Sequence, residues 1–238
     1  MNSRSRTSTP AWTSGSTINR VAQHSAALRT FGKVWMKPLT LAALVAPFVY
    51  IVVDTTLVIL GQPNNMGANP AEYIHHFLGV TALRILLITL AITPLRDLTG
   101  WAPLALIRRR IGLAAFFYAG LHIIAYLWLD LLWSFAALWK DVLKRTYITL
   151  GMAAFVLMLP LAVTSTNGMI RRLGRKVWER IHWLIYPLAI LAVLHHFYMV
   201  KGIQPAPLVH GAILAVLLAY RVWKWAADKL ARSPQTAS

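Results

Sequence analysis

The chain has 238 residues, 58% of them hydrophobic and 13% charged, with a mean hydropathy of +0.56 and a formal charge of +17. Soluble domains run nearer ~45–50% apolar and ~25% charged, so this composition excludes an ordinary soluble domain and predicts an integral membrane protein. The basic residues sit in short blocks between long apolar runs, which is the pattern of topology signals and not of a nucleic-acid surface.

Residues 1–37 are polar and carry Arg4, Arg6, Arg20, Arg29, Lys33 and Lys37. They lack the apolar core of a signal peptide and read as a disordered basic cytoplasmic tail. Six apolar segments follow, at about 39–60, 75–95, 111–133, 146–165, 178–200 and 206–225. Each is near the ~20 residues that cross a bilayer as a helix. Short links make neighbours antiparallel, so the expected fold is all-α, a polytopic six-helix membrane bundle over 38–226. Residues 227–238 form a C-terminal cytoplasmic tail.

Nineteen Lys and Arg fall in the tails and in the 96–110 and 171–180 loops, against four on the other side (Lys140, Lys144, Arg145 and Lys201). By the positive-inside rule both termini are expected to be cytoplasmic. Cysteine is absent, which excludes disulfides, thiolate-bound clusters and covalent c-type haem. No nucleotide-binding motif is present, so any reducing equivalents come from a separate donor.

The informative residues are histidines inside apolar segments. Ionisable groups at membrane depth are costly and mark function, and neutral imidazole is the commonest metal ligand. At ~1.5 Å of helix rise per residue, His122 in the third span and His195–His196 in the fifth lie at matched depth in the outer half of the membrane. His182 stands apart, near the cytoplasmic face. Matched histidines on separate spans of a chain without cysteine point to a bis-histidine haem. Straight-helix phase from His182 favours His196 over His195, but Pro187 lies between and can reset that phase.

His24, His75 and His210 read as interfacial polar residues, and His76 as a candidate at the outer boundary. Arg84, inside the second span, can neutralise a haem propionate or flavin phosphate, or snorkel or pair with Asp54. Gly112, Gly120 and Gly151 let helices or a flat macrocycle approach closely. A rival reading is a cation or proton transporter, for which Asp54 and Asp130 are the available carboxylates.

The segment LAVTSTNGMIRRLGRKVWERIHWLIYPLAILAVLHHFYMVK (161–201), together with IHHFLGVTALRILLITLAITPLR (74–96), RRRIGLAAFFYAGLH (108–122) and RTYITLG (145–151), resembles the MsrQ (YedZ) family. Members are haem-binding membrane subunits of a methionine sulfoxide reductase system, within the ferric reductase-like transmembrane superfamily. The resemblance implies haem ligands at His122, His182 and His195, with His76 as the family histidine of the second span. It implies haem b, one or two, and FMN. A second haem lacks a partner histidine, since Arg108–Arg110 stand where two-haem relatives carry one. It also implies electrons drawn from the quinone pool or a cytoplasmic flavin reductase and delivered to a periplasmic molybdopterin subunit, MsrP. A ferric reductase-like protein with another acceptor is the nearest alternative.

Overall fold

The computed structural model describes residues 15–200 and 204–232; residues 1–14, 201–203 and 233–238 of the predicted tails and loop lie outside them. Eight helices run through the described residues: α1 (Gly15–Ile59), α2 (Pro70–Thr99), α3 (Leu104–Leu129), α4 (Phe135–Lys144), α5 (Thr146–Val163), α6 (Asn167–His182), α7 (Ile185–Met199) and α8 (Pro205–Arg232). Six stretches are long and apolar enough to cross a membrane, with α6 and α7 together making the fifth.

Local chemistry sets most of the boundaries. Asn69 caps α2 by accepting from the Glu72 N–H at 3.3 Å, with Pro70 in the first turn, where a missing N–H costs nothing. Gly100 ends α2 in the left-handed conformation and donates its N–H to Arg96 O at 2.9 Å, as C-terminal glycines do. Ser134 and Thr166 cap α4 and α6 in the same manner as Asn69.

Three features depart from the sequence expectations. Helix α1 reaches back to Gly15, into the stretch read as a disordered tail. No proline lies between Pro10 and Pro38, so a helix already nucleated in the span extends by propagation alone. Helix α4 occupies the 134–145 link and exposes Phe135, Trp139 and Leu143 along one side, an amphipathic stripe at i, i+4, i+8. The fifth span is broken at Trp183–Leu184. Pro187 has no N–H to give, and the chain passes through i→i−3 bonds, Leu184 N to Ile181 O at 3.0 Å and Tyr186 N to Trp183 O at 3.2 Å, before α7 begins.

The most extensive helix pairs are α2 with α3 and α5 with α7. Their contact surfaces form one apolar core that includes Leu83, Leu86, Leu90, Ala115, Tyr118, Met158, Leu188 and Ala189. The Tyr118 hydroxyl donates to Leu44 O at 2.7 Å, tying α3 to α1. Large apolar side chains such as Val52, Ile88, Phe117 and Val216 face outward, as lipid-facing residues of a bundle do.

Polar contacts gather the two ends. At one end Arg109 donates to Asn167 Oδ1 at 2.5 Å, Arg110 to Lys37 O at 3.2 Å, and Asp97 joins Arg96, Tyr220 and Lys224. At the other, the buried Asp54 accepts from the Asn65 backbone at 3.1 Å, and Tyr126 donates to Asp141 at 2.6 Å.

Candidate functional site

Between the two helix pairs, at the end away from the basic loops, lies a cavity of about 900 Å³. Apolar residues including Leu83, Leu86, Phe155, Met158 and Leu188 form its walls. His75, His76, His122, His195 and His196 line it, while His182, His210 and Arg84 do not.

His122 on α3 and His195 on α7 face one another, with ring centroids 6.2 Å apart and planes at 69°. Each ring is anchored by its Nδ1. The His122 Nδ1–H donates to His75 O at 3.1 Å, and the His195 Nδ1–H donates to Tyr147 O at 2.6 Å. A carbonyl oxygen only accepts, so each Nδ1 carries the proton and each neutral ring keeps its lone pair on Nε2. An iron bound by two imidazole nitrogens at ~2.0 Å, each ~1.1 Å from its ring centre, requires roughly 6 Å between centroids. The pair meets that spacing. Each ring also lies where a side chain is missing: a Cβ on Gly79 would come within 3.2 Å of His122, and one on Gly151 within 2.8 Å of His195. Cavity volume, apolar walls and two unprotonated imidazole nitrogens at this ring spacing fit a porphyrin held by two histidines. Among the described residues no group of three or more His, Cys, Asp or Glu is arranged for a bare metal ion.

A second imidazole pair, His76 and His196, stands 6.1 Å apart at 46°. His196 is buried and packs 5.3 Å from His210 on α8, and its Nε2 has no hydrogen-bond partner among the described residues. Among the described residues, no hydrogen bond of this pair matches the carbonyl anchors of the first. The carbonyl bond distinguishes His195 from His196, and the break at Trp183–Leu184 removes the basis for counting helical phase from His182.

The other predicted residues fall elsewhere. His182 donates from Nδ1 to Trp178 O at 3.0 Å and stacks on the Trp178 ring at 3.9 Å. It meets an indole, not another imidazole. Arg84 is exposed on α2, so the cation lining the cavity is Arg145, at the start of α5, which pairs with Asp141 at 3.3 Å. His75 lies within 3.0 Å of Asp130, and its backbone carbonyl anchors His122. His210, read as interfacial, is buried because α8 packs its first turns against α7. The His24 side chain lies outside the described residues.

Sequence reading missed Arg145, Tyr147, the His75 carbonyl and Gly79. The available signal was spacing: His75 precedes Gly79, and Tyr147 precedes Gly151, by one hydrogen-bonded helical turn.

A family model described as ferric reductase like transmembrane component matches residues 78–193. A protein-methionine-sulfoxide reductase heme-binding subunit MsrQ of Xanthomonas campestris pv. campestris is 54% identical over 159 residues, covering 67% of this chain and 72% of the relative. One from Xanthomonas euvesicatoria pv. vesicatoria is 50% identical over 188 residues, 79% of this chain and 86% of the relative. The chain belongs to the MsrQ heme-binding subunit family. A relative from Rhodospirillum rubrum, with the same description, is 51% identical over 158 residues, 66% of this chain and 76% of its own. Membership in the MsrQ family makes the protein a multi-pass membrane protein with a ferric reductase-like core. The matched segment runs from α2 into α7 and takes in His122, while His75, His76, His195 and His196 lie just beyond its two ends.

Proposed function

We propose that this protein is a haem b-binding electron-transfer subunit that carries electrons across the bacterial inner membrane to a methionine sulfoxide reductase partner. The observation that carries the proposal is the His122–His195 pair, at iron-clamping distance with both Nδ1 protons committed to backbone carbonyls. Bound there, haem supplies one-electron chemistry. The chain fixes the two ligand imidazoles, presents an unprotonated Nε2 from each, and surrounds the site with apolar side chains that exclude water. Hydrogen bonding of Nδ1–H to a carbonyl orients a ligand imidazole and raises its basicity. Arg145, at the polar rim, is the cation nearest to hand for a propionate.

The distribution of basic residues supports an orientation with both termini cytoplasmic. The cavity then opens toward the periplasm, where a molybdopterin MsrP-like subunit would take electrons. The donor, quinone pool or flavin reductase, acts from the other side or from within the membrane, and His182 lies toward the basic end. This reading rests on haem alone; the FMN implied by the resemblance is not part of it. Against a transporter, Asp54 does not line the cavity, which leaves Asp130, 3.0 Å from His75, as the only one of the two carboxylates beside it.

The test is reconstitution in liposomes with a reductant enclosed and the purified partner outside. The proposal predicts methionine sulfoxide reduction that depends on this chain and is lost in His122→Ala and His195→Ala. Equal reduction by those variants would remove the electron path assigned here.

A further inference from the structure

We propose that Gly79 and Gly151 are paired positioning residues: each is a seat, built in the same register on a different helix, that fixes the rotation of one ligand imidazole. This rests on the haem-ligation reading of His122 and His195.

In an α-helix the carbonyl of residue i accepts the N–H of residue i+4. His75 lies four residues before Gly79 on α2, and Tyr147 four before Gly151 on α5. Each imidazole therefore bonds a carbonyl already engaged by the glycine's own N–H and uses its second lone pair. That lone pair is accessible only if residue i+4 leaves the ring room to lie against the helix. The contacts show the room being used. A Cβ at Gly79 would stand 3.2 Å from His122 Cε1 and 3.3 Å from its Nδ1. A Cβ at Gly151 would stand 2.8 Å from His195 Nδ1 and 2.9 Å from its Cε1. Other glycines in the spans meet nothing comparable. Gly120, on the same helix as His122, has no atom within 4 Å, and Gly112 meets only Thr89 Cγ2 at 3.5 Å.

The arrangement occurs once on each side of the cavity. Each ligand helix docks on its most extensive neighbour, α3 on α2 and α7 on α5, and in both cases the docking partner supplies a carbonyl and, one turn later, a missing side chain. Two weak constraints, a hydrogen bond and a wall, together stop a ring from turning about its Cβ–Cγ bond. The ring planes are thereby held at 69°. Relative plane angle governs the magnetic anisotropy of a bis-imidazole low-spin ferric centre: steeply crossed planes give a highly anisotropic signal, and near-parallel planes a rhombic one.

The experiment compares full-length protein with Gly151→Ala, Gly79→Ala, Gly120→Ala, His122→Ala and His195→Ala, all purified in detergent. It measures haem per polypeptide and the ferric EPR spectrum. Wild type and Gly120→Ala are expected to share a highly anisotropic low-spin signal and equal haem content. Gly151→Ala, with the tighter contact, is expected to bind haem more weakly by about 10-fold or more, the scale of lost ligand support. Gly79→Ala, where the neighbour gives by tenths of an ångström, is expected to keep its haem with a shifted signal. Should Gly151→Ala fail to fold, the EPR spectrum of Gly79→Ala decides. Wild-type spectra and haem content in both seat variants, or equal damage from Gly120→Ala, would overturn the proposal while loss of haem in the histidine variants left the ligation reading standing. Haem retained in the histidine variants would overturn the ligation reading and the seats with it.

Discussion

Replacing His196 with leucine separates the two neighbouring histidines of α7. In the structure the His196 Nε2 is buried without a hydrogen-bond partner among the described residues, and an unsatisfied buried polar group costs ~1–3 kcal/mol. Leucine fills similar space and removes that cost, while forfeiting ring contacts with His76 and His210, each worth ~0.5–1.5 kcal/mol. The two terms are of equal size and offset one another, leaving a net effect within about 2 kcal/mol of zero. At roughly 2–4 °C per kcal/mol for a chain of this size, the melting midpoint should stay within about 8 °C of the wild type. His195→Leu behaves oppositely: it removes the second hydrogen bond on Tyr147 O, now 2.6 Å long, and with it one of the two unprotonated Nε2 atoms. The assay is a thermal melt beside a dithionite-reduced absorbance spectrum of each variant. Haem retained in His196→Leu and lost in His195→Leu is the expected result. The reverse pattern would refute the argument from carbonyl anchors and assign ligation to the His76–His196 pair.

Arg145→Met should lower the haem midpoint potential, because a cation at the cavity rim favours the reduced, less positive centre. A partly exposed charge interaction of ~0.2–1 kcal/mol converts to about 10–40 mV in a redox titration. Gly174 holds φ 73°, ψ 156° within α6, a region essentially reserved for glycine, so Gly174→Ala should destabilise by ~1–3 kcal/mol in a thermal melt. Its haem content should be unchanged, since α6 does not line the cavity. The chain has no native cysteine, so single-cysteine variants report topology cleanly. Lys140→Cys and Arg171→Cys are both exposed positions; in intact cells an impermeant maleimide should label the first and spare the second.

What the sequence revealed, and what it concealed, follows from which quantities are local. Helix rise is constant, so the matched depth of His122 and His195 could be read from residue counting, and the structure brings those two rings together. Helical phase is not preserved across a break, which is why residue counting from His182 selected His196. Pro187 signalled the break without giving its angle. Arg84 lies inside a span, but its depth alone does not say what it meets, and the structure leaves its side chain exposed on α2 and outside the cavity lining. Arg145 looked like one more loop charge until α4 and α5 placed it at the cavity rim. Gly112, Gly120 and Gly151 were equivalent in sequence as sites of close approach; the structure sets Gly151 apart and adds Gly79, because only these two meet a histidine ring. His75 was dismissed as interfacial on the character of its side chain, whereas its backbone carbonyl is what anchors His122.

The most direct measurement is haem per polypeptide by the pyridine haemochrome assay on purified wild type, His122→Ala and His195→Ala. The account predicts b-type haem in the wild type and loss of its main component in either single variant. Haem content in both variants equal to that of the wild type would contradict it.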